Sequence, residues 1–271
     1  MVRIKDIFDW IDSWAPFRYA ESWDNCGLQV GSLETPVDKV LVALDPASAV
    51  LREAQGLLCQ CLVTHHPLLL HPINSICTDS WPGSVIMRAL VSGIGIIAAH
   101  TNLDAAREGT NVQLKELLGL EAAEPLEAEA GFCREGRYSG MGLVGLLPGD
   151  TTLGGLAGDL SGVLGGTVVR VTGDPQKRVS RAAVCSGSGG SLMGKVLASR
   201  AEVFITGDMK YHDARLAEEN GLAVIDIGHF ASEKLVLEPF GDFLRSKAKS
   251  EGAKLEVFIS KSEQDPFRVI A

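Results

Sequence analysis

A chain of 271 residues that is 46% apolar, with a mean hydropathy of +0.15, has material for one large core or for two domains of about 100 to 150 residues each. Its 34 acidic residues outnumber 25 basic ones, and the resulting net charge of -9 argues against nucleic-acid binding through a broad basic face. No apolar run reaches the roughly 18 residues of a membrane span, and acidic residues interrupt MVRIKDIFDWIDSWAP where a signal peptide needs an unbroken apolar segment, so a cytoplasmic protein without membrane attachment is expected.

In chain order, Ile4, Ile7, Phe8 and Ile11 share one helical face and predict a helix over residues 3–14. KVLVALDP, 39–46, reads as a buried strand; a helix from about Ala47 to Leu58 and a strand in CLVTHH complete a βαβ unit. The run LVTHHPLLLHP, 62–72, ends its apolar part in two adjacent histidines. Pro67 removes a ladder donor and biases His66 toward an extended or turn conformation, so the strand is expected to stop there and release both imidazoles at its carboxyl edge. That edge is where open α/β sheets bind ligands. A helix near 83–92 leads to GIGIIAAH, a strand ending at His100, and a further helix covers 111–118.

The later part repeats this plan: strand 181–188, helix MGKVLASR, strand VFITGD, helix HDARLAEENG stopped by Gly221, and strand LAVIDIGH ending at His229. Between the two, RYSGMGLVGLL and GTVVRVTG supply strands around a helix at 153–164, and EAAEPLEAEAGFCREGR reads as a solvated connector. The fold class expected is α/β: two similar halves, 1–125 and 126–271, with mixed sheets flanked by helices and a metal cleft between them. A single continuous domain is the alternative. The six cysteines, Cys26, Cys59, Cys61, Cys77, Cys133 and Cys185, lack CxxC spacing and read as reduced thiols.

Each half ends its last strand in a histidine with an acid four residues later, His100 with Asp104 and His229 with Glu233. On a helical turn, positions i and i+4 share a face, so each pair can reach one point. Of only six histidines, four sit at or just past a predicted strand end, and with the two acids they form the mixed nitrogen and oxygen set that suits Zn, Fe, Mn or similar divalent ions. The donors exceed what one tetrahedral ion needs, which favours a dinuclear site.

The motifs HHP at 65–67, HTNLD at 100–104, TGDMKYHDA at 206–214 and GHFASE at 228–233, together with WDNCGLQVG and VCSGSGGSL, resemble the Nif-three-like dinuclear metal-centre proteins, often named GTP cyclohydrolase I type 2 homologues. The resemblance covers essentially the whole chain. It implies two divalent metals per chain held by His65, His66, Asp104, His229 and Glu233, and a ring-shaped homo-oligomer, usually a hexamer. It further implies that His65 and His66, leaving the strand in divergent directions, bind different metals, and that Glu233 bridges them. Longer members carry an inserted middle domain, for which the connecting segment here is too short.

His100 reads as a group beside the metals that orients Asp104 or moves protons, and His212 as a general acid or base. Lys210 is a candidate anion contact, and Trp23 and Asn25 are candidate walls of the substrate site, against the plainer reading of WDNCG as a structural turn. Asp213 reads as a helix cap, His71 as structural or surface, SGSGGS as a tight turn rather than a phosphate loop, and Cys26 as a neighbour of the site rather than a ligand. Two functions fit: a metal-dependent hydrolase acting through activated water on a nucleotide-like or other small substrate, or a non-enzymatic protein that stores metal, hands it on, or binds a protein partner.

Overall fold

The structure is a computed structural model, and it describes residues 1–126 and 140–270. Cys133 and most of the expected connector lie outside the described residues. The connector's first residues are not solvated chain: Glu121–Pro125 is a strand paired antiparallel with Leu143–Thr152, and it buries Ala123.

The chain forms two compact units, Met1–Leu103 with Val236–Gln264, and Asp104–Leu235 with Asp265–Ala271. These differ from an equal division at 125/126, and the packing explains why. Helix Thr110–Leu118 buries Leu114 and Leu118 in the same core as Leu143, Leu153 and Val184, so it belongs to the second unit. The chain then returns to the first unit. Helix Leu237–Ser250 turns Leu237, Phe240, Gly241, Leu244 and Ala248 inward at helical spacing, and Trp14 packs against Phe240 and Phe243 at 5.0 and 4.8 Å between centroids. Strand Glu256–Ile259 pairs in parallel with Lys39–Ala43.

The first sheet has the order Glu256–Ile259, Lys39–Ala43, Cys61–Thr64, Gly95–Ala98, Gly27–Val30. All neighbours are parallel except the last, which is antiparallel. The second sheet has the order Glu121–Pro125, Leu143–Thr152, Arg178–Ser188, Val203–Gly207, Ala223–Asp226, Arg170–Thr172, with its three consecutive strands from Arg178 onward parallel. Every residue of Cys61–Thr64, Gly95–Ala98, Val203–Gly207 and Ala223–Asp226 is buried, the mark of parallel strands covered on both faces. The strands at Cys61 and Gly95 end two residues before the expected histidine termini, and His229 begins a helix, His229–Glu233. Among the described residues no helix is long and apolar enough to cross a membrane.

Because Phe240 is 1% exposed and anchors the returning helix, Phe240→Ala is expected to cost about 3–5 kcal/mol, read as an earlier midpoint in urea unfolding.

Candidate metal centre

The first unit supplies three imidazoles. Parallel pairing aligns Ala43 with Thr64 and Thr64 with Ala98, so two residues further on Asp45, His66 and His100 fall in one row at the strand ends. The backbone keeps this alignment past the strand, with His65 N bonded to Ala43 O at 3.1 Å and His66 N to Leu44 O at 2.8 Å. One ring nitrogen from each of His65, His66 and His100 lies within 4.8 Å of the others, a set able to hold a metal ion. The rings of His65 and His66 are 4.9 Å apart and tilted by 45°, so the adjacent histidines leave the strand towards a common space rather than to opposite faces.

Each imidazole is fixed through Nδ1. His65 Nδ1 donates to Ala99 O at 2.9 Å, His66 Nδ1 to Asp45 Oδ1 at 2.8 Å, and His100 Nδ1 to Asp24 Oδ1 at 2.9 Å. Carbonyl and carboxylate oxygens only accept, so the proton sits on Nδ1 and the lone pair on Nε2, the form a metal binds. Asp24 has its side chain fully buried, and it also takes Thr101 N at 3.0 Å and Thr101 Oγ1 at 2.5 Å. Burial works to raise its pKa, but the bonds from His100 and Thr101 outweigh it and hold this carboxyl well below the ordinary range.

Within the second unit, two carboxylates and an imidazole form a separate group. Gly228, with φ of +82°, opens the turn that carries His229 and Glu233, whose Nε2 and Oε1 lie 3.1 Å apart. His229 Nδ1 donates to Asp208 Oδ2 at 2.8 Å, repeating the arrangement of His66 with Asp45. Asp208 itself takes a left-handed backbone, φ of +51°, at the end of strand Val203–Gly207. Gly207 precedes it because a Cβ there would stand 2.6 Å from His229 N. Asp226 braces both loops, accepting from Met209 N and Gly228 N, each at 3.0 Å, and from Arg170.

Asp104 is reached through a buried relay. Ser186 Oγ donates to Thr110 Oγ1 at 2.7 Å, and Thr110 Oγ1 donates to Asp104 Oδ1 at 2.5 Å. Thr110, at the start of its helix, thus orients Asp104. The glycine-rich SGSGGS loop supplies this relay and the wall beside Glu233, and nothing in it marks a phosphate site. Gly187 N donates to Ser232 Oγ at 2.8 Å, and a Cβ on Gly187 would lie 2.2 Å from Glu233 Oε1 and 3.4 Å from His229 Nε2.

Asp104 and Glu233 are 6% and 3% exposed, and each offers an oxygen within 4.8 Å of the other. Two buried like charges at that separation repel unless a cation shares them, so the donor set fits a divalent ion. Cys185 beside them has its thiol pushed up by burial and then by both carboxylates.

The remaining candidates are placed differently. Trp23 is exposed and meets the His100 ring edge-on at 6.1 Å. Asn25 donates through Nδ2 to Leu69 O at 2.5 Å, which ties two loops together. Lys210 and His212 are exposed at the start of helix Tyr211–Glu219, outside both donor sets, with the His212 ring against Tyr211. Asp213 is not the cap residue, which is Lys210, but lies in the first turn, where its charge favours the helix dipole. Cys26 donates to Asp24 Oδ2 at 3.0 Å, and burial, then that bond, push its pKa up to about 12. The sequence alone assigns no role to Asp24, Asp45, Asp208 or Gly187. The one signal for Asp45 and Asp208 is an acid directly after an apolar strand, in ALDP and ITGD.

A family model described as Duf34/NIF3 (NGG1p interacting factor 3) matches residues 2–266. A Clostridium perfringens protein named GTP cyclohydrolase 1 type 2 homolog is 32% identical over 99% of this chain and 100% of its own length, and a Streptomyces coelicolor protein of the same name is 34% identical over 98% and 94%. Among solved structures, a Bacillus cereus protein related to NIF3 has a TM-score of 0.92 at 25% identity, covering 99% of both chains. Reduced HcgD from Methanocaldococcus jannaschii has a TM-score of 0.79 at 31% identity, covering 95% of this chain and 97% of its own.

Gly187→Ala is expected to force Glu233 from its place and lower cobalt(II) uptake while leaving the far-ultraviolet circular dichroism unchanged; full uptake would show that Gly187 does not shape the donor set. Iodoacetamide at pH 8 is expected to alkylate exposed Cys77 and leave Cys26 unmodified on peptide mapping, because a thiol titrating near 12 holds almost no thiolate there.

Proposed function

The chain belongs to the Duf34/NIF3 family, and from that premise we propose that His65, His66, Asp104, His229 and Glu233 hold two divalent metal ions as one dinuclear centre of a metal-dependent hydrolase. The observation that carries this reading is the pair of buried carboxylates together with imidazoles whose Nδ1 atoms are all committed elsewhere. Chain connectivity supports a shared centre, since only three residues lie between His100 and Asp104, a span of at most about 14 Å. Divalent ions held there would supply Lewis acidity toward a phosphoryl or carbonyl oxygen and a water acidic enough to attack at neutral pH.

The chain's own residues do the rest. Asp45 and Asp208 hold His66 and His229 in one tautomer, Thr110 fixes Asp104, and Gly187 leaves room for Glu233. The side chains of His66 and His229 are 22% and 33% exposed, and such access for water is what a catalytic ligand set needs and a storage set does not. His100, held by Asp24, is the proposed carrier of a proton at Nε2, with His212 as the second candidate. Trp23 beside His100 would stack on a planar substrate, and Asn25 and Lys210 would line its approach. The substrate we favour is nucleotide-like, following the name shared by the curated relatives, and a ring-shaped hexamer is part of the same proposal.

Metal storage or delivery is the second reading, favoured by the near-complete burial of His65, Asp104 and Glu233. The two part on turnover. Protein purified without tag or added metal is expected to carry about two divalent ions per chain by plasma mass spectrometry and to hydrolyse at least one nucleotide or phosphoester; metal without turnover would favour storage, and no uptake on reconstitution would sink both. Glu233→Ala is expected to lose both ions, whereas His212→Ala is expected to keep them.

A further inference from the structure

The C-terminal tail does not simply run off the first sheet. Ser260 N donates to Val42 O at 2.8 Å, adding one bond to the ladder of strand Glu256–Ile259. Glu53, on helix Ser48–Gly56, then takes the turn: its carboxylate accepts from Ser260 Oγ at 2.6 Å, Lys261 N at 2.9 Å and Ser262 Oγ at 2.7 Å. So anchored, the turn aims the next residue back under the sheet. Glu263 Oε2 accepts from Leu44 N at 2.8 Å, and Oε1 accepts from Asp45 N at 2.6 Å.

Those two amides stand just past the end of strand Lys39–Ala43, where the ladder no longer supplies acceptors. A carboxylate bonded to two consecutive N–H groups fixes the peptide plane between them, and with it the direction in which the Asp45 side chain leaves the backbone. Asp45 Oδ1 in turn holds His66 Nδ1 at 2.8 Å. From this chain of contacts we infer that Glu263 is a positioning residue of the metal centre, fixing the Asp45 backbone and, through Asp45, the imidazole of His66.

This role rests on the reading of His66 as a metal ligand. Glu263 bonds the backbone amides of Leu44 and Asp45, and its charge also acts on His66. It also gives the tail a purpose that sheet extension alone does not require, since the ladder is complete at Ser260. Glutamine is the informative replacement: it keeps one oxygen for one amide, but it turns an NH2 group toward the other N–H donor, so the loop must shift while the burial of an ionised group is relieved.

The test uses the full-length chain, freed of metal and titrated with cobalt(II), followed by visible absorption, with thermal unfolding of the metal-free protein alongside. Wild type is expected to take up two cobalt ions. Glu263→Gln is expected to unfold cooperatively yet bind one ion about tenfold more weakly with an altered absorption band, the low end of what loss of an outer partner costs. The Asp45→Asn, Glu263→Gln double variant is expected to bind no more weakly than Asp45→Asn alone, because both act through one path. Full-affinity uptake by Glu263→Gln, or a double variant weakened by the product of the two single effects, would overturn the assignment. Wild type that takes up no cobalt would bring down the metal reading itself, a separate result. Should Glu263→Gln fail to fold, Glu263→Asp keeps the charge but draws it back by one methylene; weakening at one ion is again expected, and unchanged binding or equal weakening at both ions overturns the role.

Discussion

Parallel pairing in register underlies the whole candidate site. Strands Lys39–Ala43, Cys61–Thr64 and Gly95–Ala98 align without a shift, so residues two past the last pair, Asp45, His66 and His100, form a row at the spacing of the strands themselves. The second sheet uses the same device, with Thr206 opposite Asp226 and therefore Asp208 beside the Gly228–His229 turn. In both sheets an aspartate from one strand end orients a histidine from the next strand end through Nδ1. A slip of one residue in either pairing would point the aspartate to the opposite face and free the ring.

This dependence explains the small and strained residues nearby. Gly207 is bare so that the His229 backbone can approach, and Gly187 is bare so that Glu233 fits. Asp208 sits in the left-handed region at a cost of about 1–2 kcal/mol, less for aspartate than for most side chains, because its position at the strand end leaves no other way to bring the carboxylate onto His229. Thr206 holds the same corner together, accepting from Gly189 N at 2.9 Å and donating to Gly187 O at 3.2 Å. Strain at Asp208, offset by the buried parallel strands that flank it, suits a preformed binding site.

Most of the fold was legible because buried parallel strands read as short apolar runs and helices as amphipathic ones. The order of the strands and helices from Lys39 to Leu118 and from Arg178 to His229 follows from those runs, whereas strand Glu121–Pro125, with one buried apolar residue, does not. What the runs cannot show is which strands are neighbours. Asp24 reads as part of a turn until its carboxylate is seen on His100, seventy-six positions away, and Glu263 looks like surface acid until it is seen on the amides of Leu44 and Asp45. The helix Leu237–Ser250 has readable periodicity, but its return to the first unit depends on packing against Trp14 and not on any local signal. His212 follows a strand as the other histidines do, but it stands exposed in the first turn of the helix that begins at Tyr211, a placement that the local sequence does not reveal.

The buried carboxylates tie stability to ligand. Asp104 and Glu233 each offer an oxygen within 4.8 Å of the other and are nearly shielded from solvent, a pairing of like charges that Thr110 bonds at Asp104 and His229 meets at Glu233, 3.1 Å away. A cation that binds the folded chain and not the unfolded one adds its own binding energy, about 2.7 kcal/mol of stability at one hundred times its dissociation constant. Under the proposed function the same two residues would set both the affinity of the site and the resistance of the second unit to unfolding. An apolar replacement for either would remove one of the two neighbouring buried carboxylates and with it a donor that the proposed metal ions would need.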